Sequence, residues 1–232
     1  MTEVRINQLG VVKRNIVRAD KSAVEKLAKF GVATIHEAMG RTGLMRPYIR
    51  PVYSRAKLCG TAVTALLQPG DNWMLHVAAE QIQPGDVIVA GCTSDSSDGF
   101  FGELLATSFR AQGGRGLIID GGVRDVDALR QMDFPVFSKA ISSKGTIKAT
   151  PGSVNVPLIC AGIVVYPGDV VIADIDGVVV VPAEKAHEIA DSAEKREANE
   201  VDKRVQFEQG ILGLDLYDMR QKLAQAGLKY ID

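Results

Sequence analysis

Cysteine is scarce and scattered in this sequence: Cys59, Cys92 and Cys160 are odd in number, far apart and in no Cys-x-x-Cys pair. That pattern speaks against a disulfide framework and a thiolate metal site, and predicts buried or semi-buried thiols in a reducing cytoplasm. Histidine is equally sparse, and His36, His76 and His187 show no pairing at metal-ligand spacing, so imidazole is not expected to carry the chemistry. His76 alone, four residues after Asn72, is placed to reach a pocket edge. Also missing is a long apolar run. The first twenty residues are broken by Arg5, Lys13, Arg14 and Arg18, which argues against a secretory signal and a spanning helix. Nor is there an excess of charge of either sign, since 27 Lys and Arg balance 28 Asp and Glu. Nucleic acid and membrane surfaces are therefore not the expected partners, and a small molecule is.

What is present reads as one core in 232 residues, with no Pro/Gly/Ser linker to divide it. The expectation is a single domain, 1–232, with 183–232 as a helical C-terminal extension. From Ser22 to Met39 apolar residues recur at three-to-four spacing and are interrupted by Gly31, which predicts two short helices with a joint. Leu58 to Leu67 reads as a strand closed by Pro69-Gly70, and Trp73 to Gln81 as a helix. Pro84-Gly85-Asp86 then delivers the chain into Val87–Ala90, an apolar run typical of a strand buried on both faces. A helix over Glu103–Gln112, a strand over Leu117–Ile119, a turn at Gly121-Gly122 and a helix over Val126–Met132 complete two parallel βαβ units. Beyond Pro135, β segments are expected over Ser142–Thr150, Val154–Gly162 and Val170–Val181, the last folded back at Asp176-Gly177. A long charged helix follows from Pro182 to about Gln209. The tripeptide Pro-Gly-Asp recurs at Pro69, Pro84 and Pro167 and reads as turn convergence, not as a repeat.

Parallel crossovers put successive strand-to-helix loops at one end of the sheet. The loop before Glu103 and the loop Gly121-Gly122-Val123-Arg124-Asp125 should therefore meet. A helix starting at Gly102-Glu103-Leu104-Leu105 would offer the Leu104 and Leu105 amides to a carboxylate. Arg124 adds a forked cation that grips a carboxylate or an enolate oxygen, and Asp125 a hard oxygen ligand for Mg²⁺ or Mn²⁺. The plainer alternative is a helix-start pair in which Asp125 caps the helix at Val126. Gly113-Gly114-Arg115-Gly116 precedes a strand instead of following one, so it is no dinucleotide loop.

The segments Thr34–Arg41, Pro69–Trp73, Gly102–Ala106, Gly121–Asp125, Gly152–Pro157, Ala198–Glu200 and Ala226–Tyr230 together resemble the 4-hydroxy-4-methyl-2-oxoglutarate/4-carboxy-4-hydroxy-2-oxoadipate aldolases. These are class II pyruvate aldolases that share a fold with the RraA proteins. The likeness implies an α/β fold: an RraA-like, swivelling-type β/β/α sandwich with parallel βαβ units and a long C-terminal helix. It implies that Asp125 binds the divalent metal, that Arg124 with the Leu104 and Leu105 amides of the turn after Gly102 holds the pyruvyl group, and that Glu103 anchors metal-bound water. Asn72 would line the same pocket. Glu200 of a neighbouring subunit would complete the metal shell, with Glu197 a lesser alternative, which makes the protein a homotrimer or homohexamer. Where relatives also use Asp, Glu103 is one methylene longer, so direct ligation and contact through water both stay open.

The implied reaction is retro-aldol cleavage in aromatic-compound catabolism, with oxaloacetate decarboxylation as a side activity. Which of the two 4-hydroxy-2-oxo acids is preferred stays open, and Lys139, Lys144 and Arg41 are the candidates to meet the distal carboxylate. Without the likeness, Glu200 reads as a solvated residue pairing with Arg204 four residues on. The rival from another class is an RraA-like, non-enzymatic regulator of RNase activity by protein contact. A methyltransferase of quinone synthesis, a label relatives have carried, is disfavoured because no Gly-rich first loop suits its cofactor.

Overall fold

The structure is a computed structural model that describes residues 4–231. The chain begins with α1 (Lys21–Leu27), α2 (Val32–Ala38), β1 (Arg50–Pro51), β2 (Leu58–Leu67), α3 (Trp73–Ala79) and β3 (Asp86–Cys92). There follow β4 (Gly99–Phe101), α4 (Glu103–Ala111), β5 (Gly116–Val123), α5 (Val126–Gln131), β6 (Val136–Ile141) and β7 (Ser153–Val154). The remainder is β8 (Leu158–Cys160), β9 (Ile163–Val165), β10 (Val170–Asp174), β11 (Gly177–Val181), α6 (Ala186–Glu208), α7 (Gly213–Leu216) and α8 (Met219–Gln225). A 3-10 turn, Ala183–Lys185, leads into α6 after Pro182.

Strands run in the order β1-β6-β5-β3-β2-β10-β11, with β4 beside β5 and β7 beside β2, and β8-β9 form a separate hairpin. The pairings β2·β3, β3·β5 and β5·β6 are parallel, so the turns into α3, α4 and α5 open at one end of the sheet. The period of two along β3 divides its side chains between two cores. Ile88 and Ala90 pack with Leu75, Phe109 and Leu129 under α3, α4 and α5. Val87 and Val89 face the other way, against Leu158, Cys160 and Val165 of the small hairpin. The result is a helix layer, a sheet and a β-hairpin layer. Over β10 and β11 a third cluster joins Leu27, Ile35 and Ile189 to Ile172 and Val179. Because both faces are covered, every residue of β2 is buried, Thr61 and Thr64 included.

The chain forms two compact units, one up to Ala193 and one from Glu194 onward, the boundary falling within α6. In the second unit the Phe207 and Tyr217 rings lie 6.3 Å apart and Lys203 sits 5.0 Å over the Tyr217 ring.

Two expectations need correcting. Gly121-Gly122 is not a turn but the end of β5, where β4 crowds in: a Cβ on Gly122 would lie 2.1 Å from the Ser97 carbonyl oxygen. Ser142–Thr150 is not a strand, because its backbone bonds go to scattered loop partners. Gly99 N–H donates to Lys144 C=O at 2.7 Å and Ile147 N–H to Gly70 C=O at 2.9 Å, with one isolated bridge, Asp71 to Ile147. The strand of that region is β6, immediately before it.

The N-terminal segment is tied to the sheet by Asp86, a buried carboxylate that accepts from Arg18 at 2.7 Å, the Thr61 hydroxyl at 2.5 Å and Gln83 N–H at 2.7 Å. Asp86→Ala leaves Arg18 without its counter-charge and three donors unsatisfied, so a loss of about 3 kcal/mol is expected. Urea unfolding would measure it, and a loss below about 1 kcal/mol would show that water replaces the carboxylate freely.

Candidate active site

β4 is the element that assembles the site. It lies parallel to the end of β5, with Gly99 opposite Gly122 and Phe101 opposite Val123. Arg124 N–H continues the ladder by donating to Phe101 C=O at 2.8 Å. The two strands therefore leave the sheet side by side, one turning at Gly102 into α4 and the other at Asp125 into α5.

Asp125 adopts the left-handed conformation, φ 57°, ψ 36°, which Asp tolerates better than bulky residues. It occupies the N-cap position of α5, yet its side chain makes no capping bond to that helix. Oδ2 instead accepts the Glu103 N–H at 3.1 Å, so Asp125 caps the neighbouring helix α4. The helix-start alternative is corrected accordingly. The contact is possible because position 102 carries no side chain: a Cβ there would lie 2.3 Å from Asp125 Oδ2 and 3.1 Å from Arg124 Cγ.

Arg124 Nε stands 3.8 Å from the same oxygen, and both side chains are about half exposed, at 48% and 44%. The Arg124 guanidinium lies against the 142–147 loop, its Nη1 3.5 Å from where a Cβ of Gly145 would be. That loop is tethered by Ser142 N–H to Val123 C=O at 2.8 Å and by the Lys144–Asp98 ion pair at 2.9 Å. In α4 the first helical bond runs from Ala106 N–H to Gly102 C=O at 3.1 Å. The three amides before it are those a helix start cannot satisfy internally. Asp125 takes that of Glu103, leaving those of Leu104 and Leu105 beside Arg124 for an anion. Leu104 is 80% exposed and Leu105 is buried. Glu103 Oε1 accepts from the Thr107 hydroxyl at 3.0 Å, which draws its carboxylate along the helix.

Asn72 is buried behind these elements. Its Nδ2 donates to Phe100 C=O at 2.9 Å and so holds β4, while its Oδ1 is buried with no hydrogen-bond partner among the described residues. The preceding residue fixes the same corner. Burial works to raise the Asp71 carboxyl, but N–H donors of Trp73, Thr150 and Ala149 outweigh it and hold it below the ordinary range. Burial, then the nearby Lys148, lowers His76.

Among the described residues no three His, Cys, Asp or Glu side chains cluster as a ready-made metal cage. The donor set still fits a hard divalent cation. Asp125 presents one carboxylate whose Oδ2 is engaged and whose Oδ1 has no partner among the described residues. Mg²⁺ is commonly bound through one or two carboxylates with retained waters, which such a site allows, whereas a structural zinc site needs four protein ligands.

Glu200 and Glu197 lie on α6 in the second unit. Glu200 Oε1 pairs with Arg196 Nε at 3.0 Å, one turn back, and not with Arg204 as expected. Of the distal candidates, Lys139 pairs with Asp95 and lies 5.8 Å over the Tyr48 ring, Lys144 pairs with Asp98, and Arg41 pairs with Glu37 at 3.0 Å. Sequence reasoning missed Gly145 and the loop it belongs to. Their only signal was a glycine among polar residues.

A family model described as RraA-like, Aldolase/RraA, matches residues 32–180. The chain belongs to this family. It is 28% identical over 169 residues to a Halalkalibacterium halodurans protein provisionally named 4-hydroxy-4-methyl-2-oxoglutarate aldolase, covering 73% of this chain and 80% of that one. It is 30% identical over 174 residues to an uncharacterized protein of Methanocaldococcus jannaschii, covering 74% and 82%. Among solved structures, the Streptomyces coelicolor protein RraAS2, described as an unusual member of the RNase ES inhibitor RraA family, superposes with a TM-score of 0.73. It is 30% identical, covering 82% of this chain and 99% of that one. The RraA-like likeness thus spans the sheet and both loops that meet at Asp125, and α6 continues beyond the matched region.

Gly102→Ala is expected to drive Asp125 off the α4 terminus. Amide hydrogen exchange at Glu103 would then accelerate while the core strands keep their protection. Unchanged exchange at Glu103 would mean that the 3.1 Å contact does not protect that amide.

Proposed function

We propose that this chain is a divalent-metal-dependent pyruvate aldolase, a carbon–carbon lyase. It cleaves 4-hydroxy-4-methyl-2-oxoglutarate, 4-carboxy-4-hydroxy-2-oxoadipate or both, giving pyruvate plus pyruvate or oxaloacetate. One observation carries the reading: a half-exposed carboxylate, Asp125, is pinned by the first amide of α4 beside a forked cation and two further unsatisfied amides. A relative provisionally named for this activity supports it.

A Mg²⁺ or Mn²⁺ ion held by Asp125, with Glu200 of a neighbouring subunit as a further ligand, would supply an electron sink at the 2-oxo group. The chain's own residues do the rest. The Leu104 and Leu105 amides and Arg124 hold the substrate carboxylate and the oxygen that gains charge as the C3–C4 bond breaks. Glu103, directly or through water, takes the proton of the C4 hydroxyl, so the C4 fragment leaves as a carbonyl compound. The electron pair of the broken bond passes to C3 and C2, and a proton returned to C3 gives pyruvate. No Schiff-base lysine is required. The same charge stabilisation serves loss of CO₂ from oxaloacetate, the side activity we assign, and such chemistry fits a place in aromatic-compound catabolism. The second reading, a non-enzymatic RNase regulator, rests on the likeness to RraAS2.

Asp125→Ala is expected to abolish pyruvate release from either substrate, and Arg124→Ala to reduce kcat about 10²–10³-fold. EDTA should stop turnover, added Mg²⁺ should restore it, and borohydride should trap no adduct. Near-normal turnover by either variant would overturn the mechanism. Wild-type protein that releases no pyruvate with Mg²⁺ or Mn²⁺ would favour the regulator.

The cross-subunit role of Glu200 has its own test. Asp125→Ala and Glu200→Ala are each expected to be inactive, and mixing them under subunit exchange should recover part of the activity. Recovery requires that the two carboxylates come from different chains, and an active Glu200→Ala protein would remove Glu200 from the site.

A further inference from the structure

The end of the sheet opposite Asp125 holds a cleft of about 450 Å³, a size typical of small-molecule sites. Its walls are the α1–α2 joint (Ala28–Gly31), the start of β2 (Lys57–Cys59), Arg115 before β5, Pro135 before β6, and Ile172–Asp174 of β10. Three cations line it: Lys29, Lys57 and Arg115. None of the three has an ion-pair partner among the described residues, whereas Lys26, Arg41, Lys139 and Lys144 are each paired. Arg115 has five N–H donors, and among the described residues the one protein bond made by its side chain is from Nη1 to Cys59 C=O at 3.1 Å. That bond fixes the guanidinium at the cleft wall and leaves donors over.

Two carboxylates share the lining, and each accepts at least one hydrogen bond from the protein. Asp174 is buried, its Oδ2 accepting Val32 N–H and its Oδ1 Asp176 N–H, each at 2.9 Å. Asp133 accepts the Tyr53 hydroxyl at 3.4 Å. Counting charges over the lining, three positive and two negative, the cleft keeps a net positive charge. The lining cations outnumber its carboxylates, and most of the Arg115 N–H donors have no protein acceptor among the described residues.

We infer that this cleft is a second anion site, formed by Arg115, Lys57 and Lys29, that takes a compact oxyanion carrying two or more negative charges. Arg115 grips two oxygens through its fork, and the two lysines of the lining supply point charges. It is separate from the catalytic end. Arg115 precedes β5 and Arg124 follows it, nine residues of extended chain or about 30 Å apart.

Inorganic pyrophosphate is the probe, titrated calorimetrically without added metal at fixed ionic strength against the full-length protein. Arg124→Ala serves as the background, so that the catalytic end cannot answer for the cleft. In that background one site should remain, and adding Arg115→Ala or Lys57→Ala should weaken it about tenfold or more, the loss expected for a charge-assisted hydrogen bond. Lys21→Ala, a cation outside the cleft, should leave it unchanged. The inference is overturned if the Arg124→Ala protein binds no pyrophosphate, or if Arg115→Ala and Lys57→Ala both leave binding intact while keeping the parental melting temperature. If the cleft variants lose stability, Lys57→Arg and Arg115→Lys decide. Lys57→Arg should retain binding and Arg115→Lys should lose most of it, and retention by Arg115→Lys would equally overturn the fork. The outcome does not depend on the aldolase reading, because no turnover is measured.

Discussion

Everything at the proposed catalytic end depends on one close approach, the Asp125 carboxylate reaching across Gly102 to the first amide of α4. The bond stabilises a helix terminus that has no side-chain cap of its own. It also orients a carboxylate whose left-handed backbone already turns it away from α5. An Asp that capped its own helix would have spent its oxygens locally. Here one oxygen fixes the distance between two crossover loops and the other is left for chemistry.

That approach is prepared by β4, Gly99-Phe100-Phe101, which is too short to show a period of its own. Its short pairing with β5 is what sets Gly102 beside Arg124. The long elements were legible because burial on both faces writes itself into composition: Val87–Ala90 and Leu117–Ile119 are apolar because no face of those strands meets water. The convergence of the two loops was legible too, since parallel crossovers leave no other arrangement. The 142–150 loop was not, because its polar and small residues answer to partners far away in the chain, at Gly70, Asp71, Gly99 and Val123. The corner at Asn72 was legible only as a polar residue near a turn. That its amide supports β4 and leaves Oδ1 buried without a partner among the described residues is a consequence of tertiary packing.

The same geometry explains why the metal site we propose could not be read from spacing. Ligands on helices recur at three or four residues, and the thiolate and imidazole sites that dominate motif recognition announce themselves in that way. Asp125 stands alone in its loop, and Glu103 is brought near through the backbone, by its own amide, and not by sequence proximity. A cation that keeps most of its water asks for little more than one oriented carboxylate and a nearby anchor. Selectivity among hard divalent ions at the proposed site would then be set by the surrounding donors and not by a closed cage.

β5 ties the two ends of the molecule together in a way that limits what one end can do to the other. Leu117, Ile118, Ile119 and Val123 are fully buried, and the strand is paired to β3 and β6 along most of its length. A packed parallel strand does not slide by fractions of a residue, because its register is set by side chains locked into cores on both faces. Arg115 and Arg124 are thus fixed at opposite ends of a rigid bar. An anion gripped by Arg115 would lower the free energy of the folded chain as any ligand of the native state does, by mass action. Coupling to Arg124 would need a second arrangement of that bar, and the two cores that bury it leave no room for one. The physical economy of the fold lies in that separation, with one end of the strand free to hold charge while the other is committed to the geometry around Asp125.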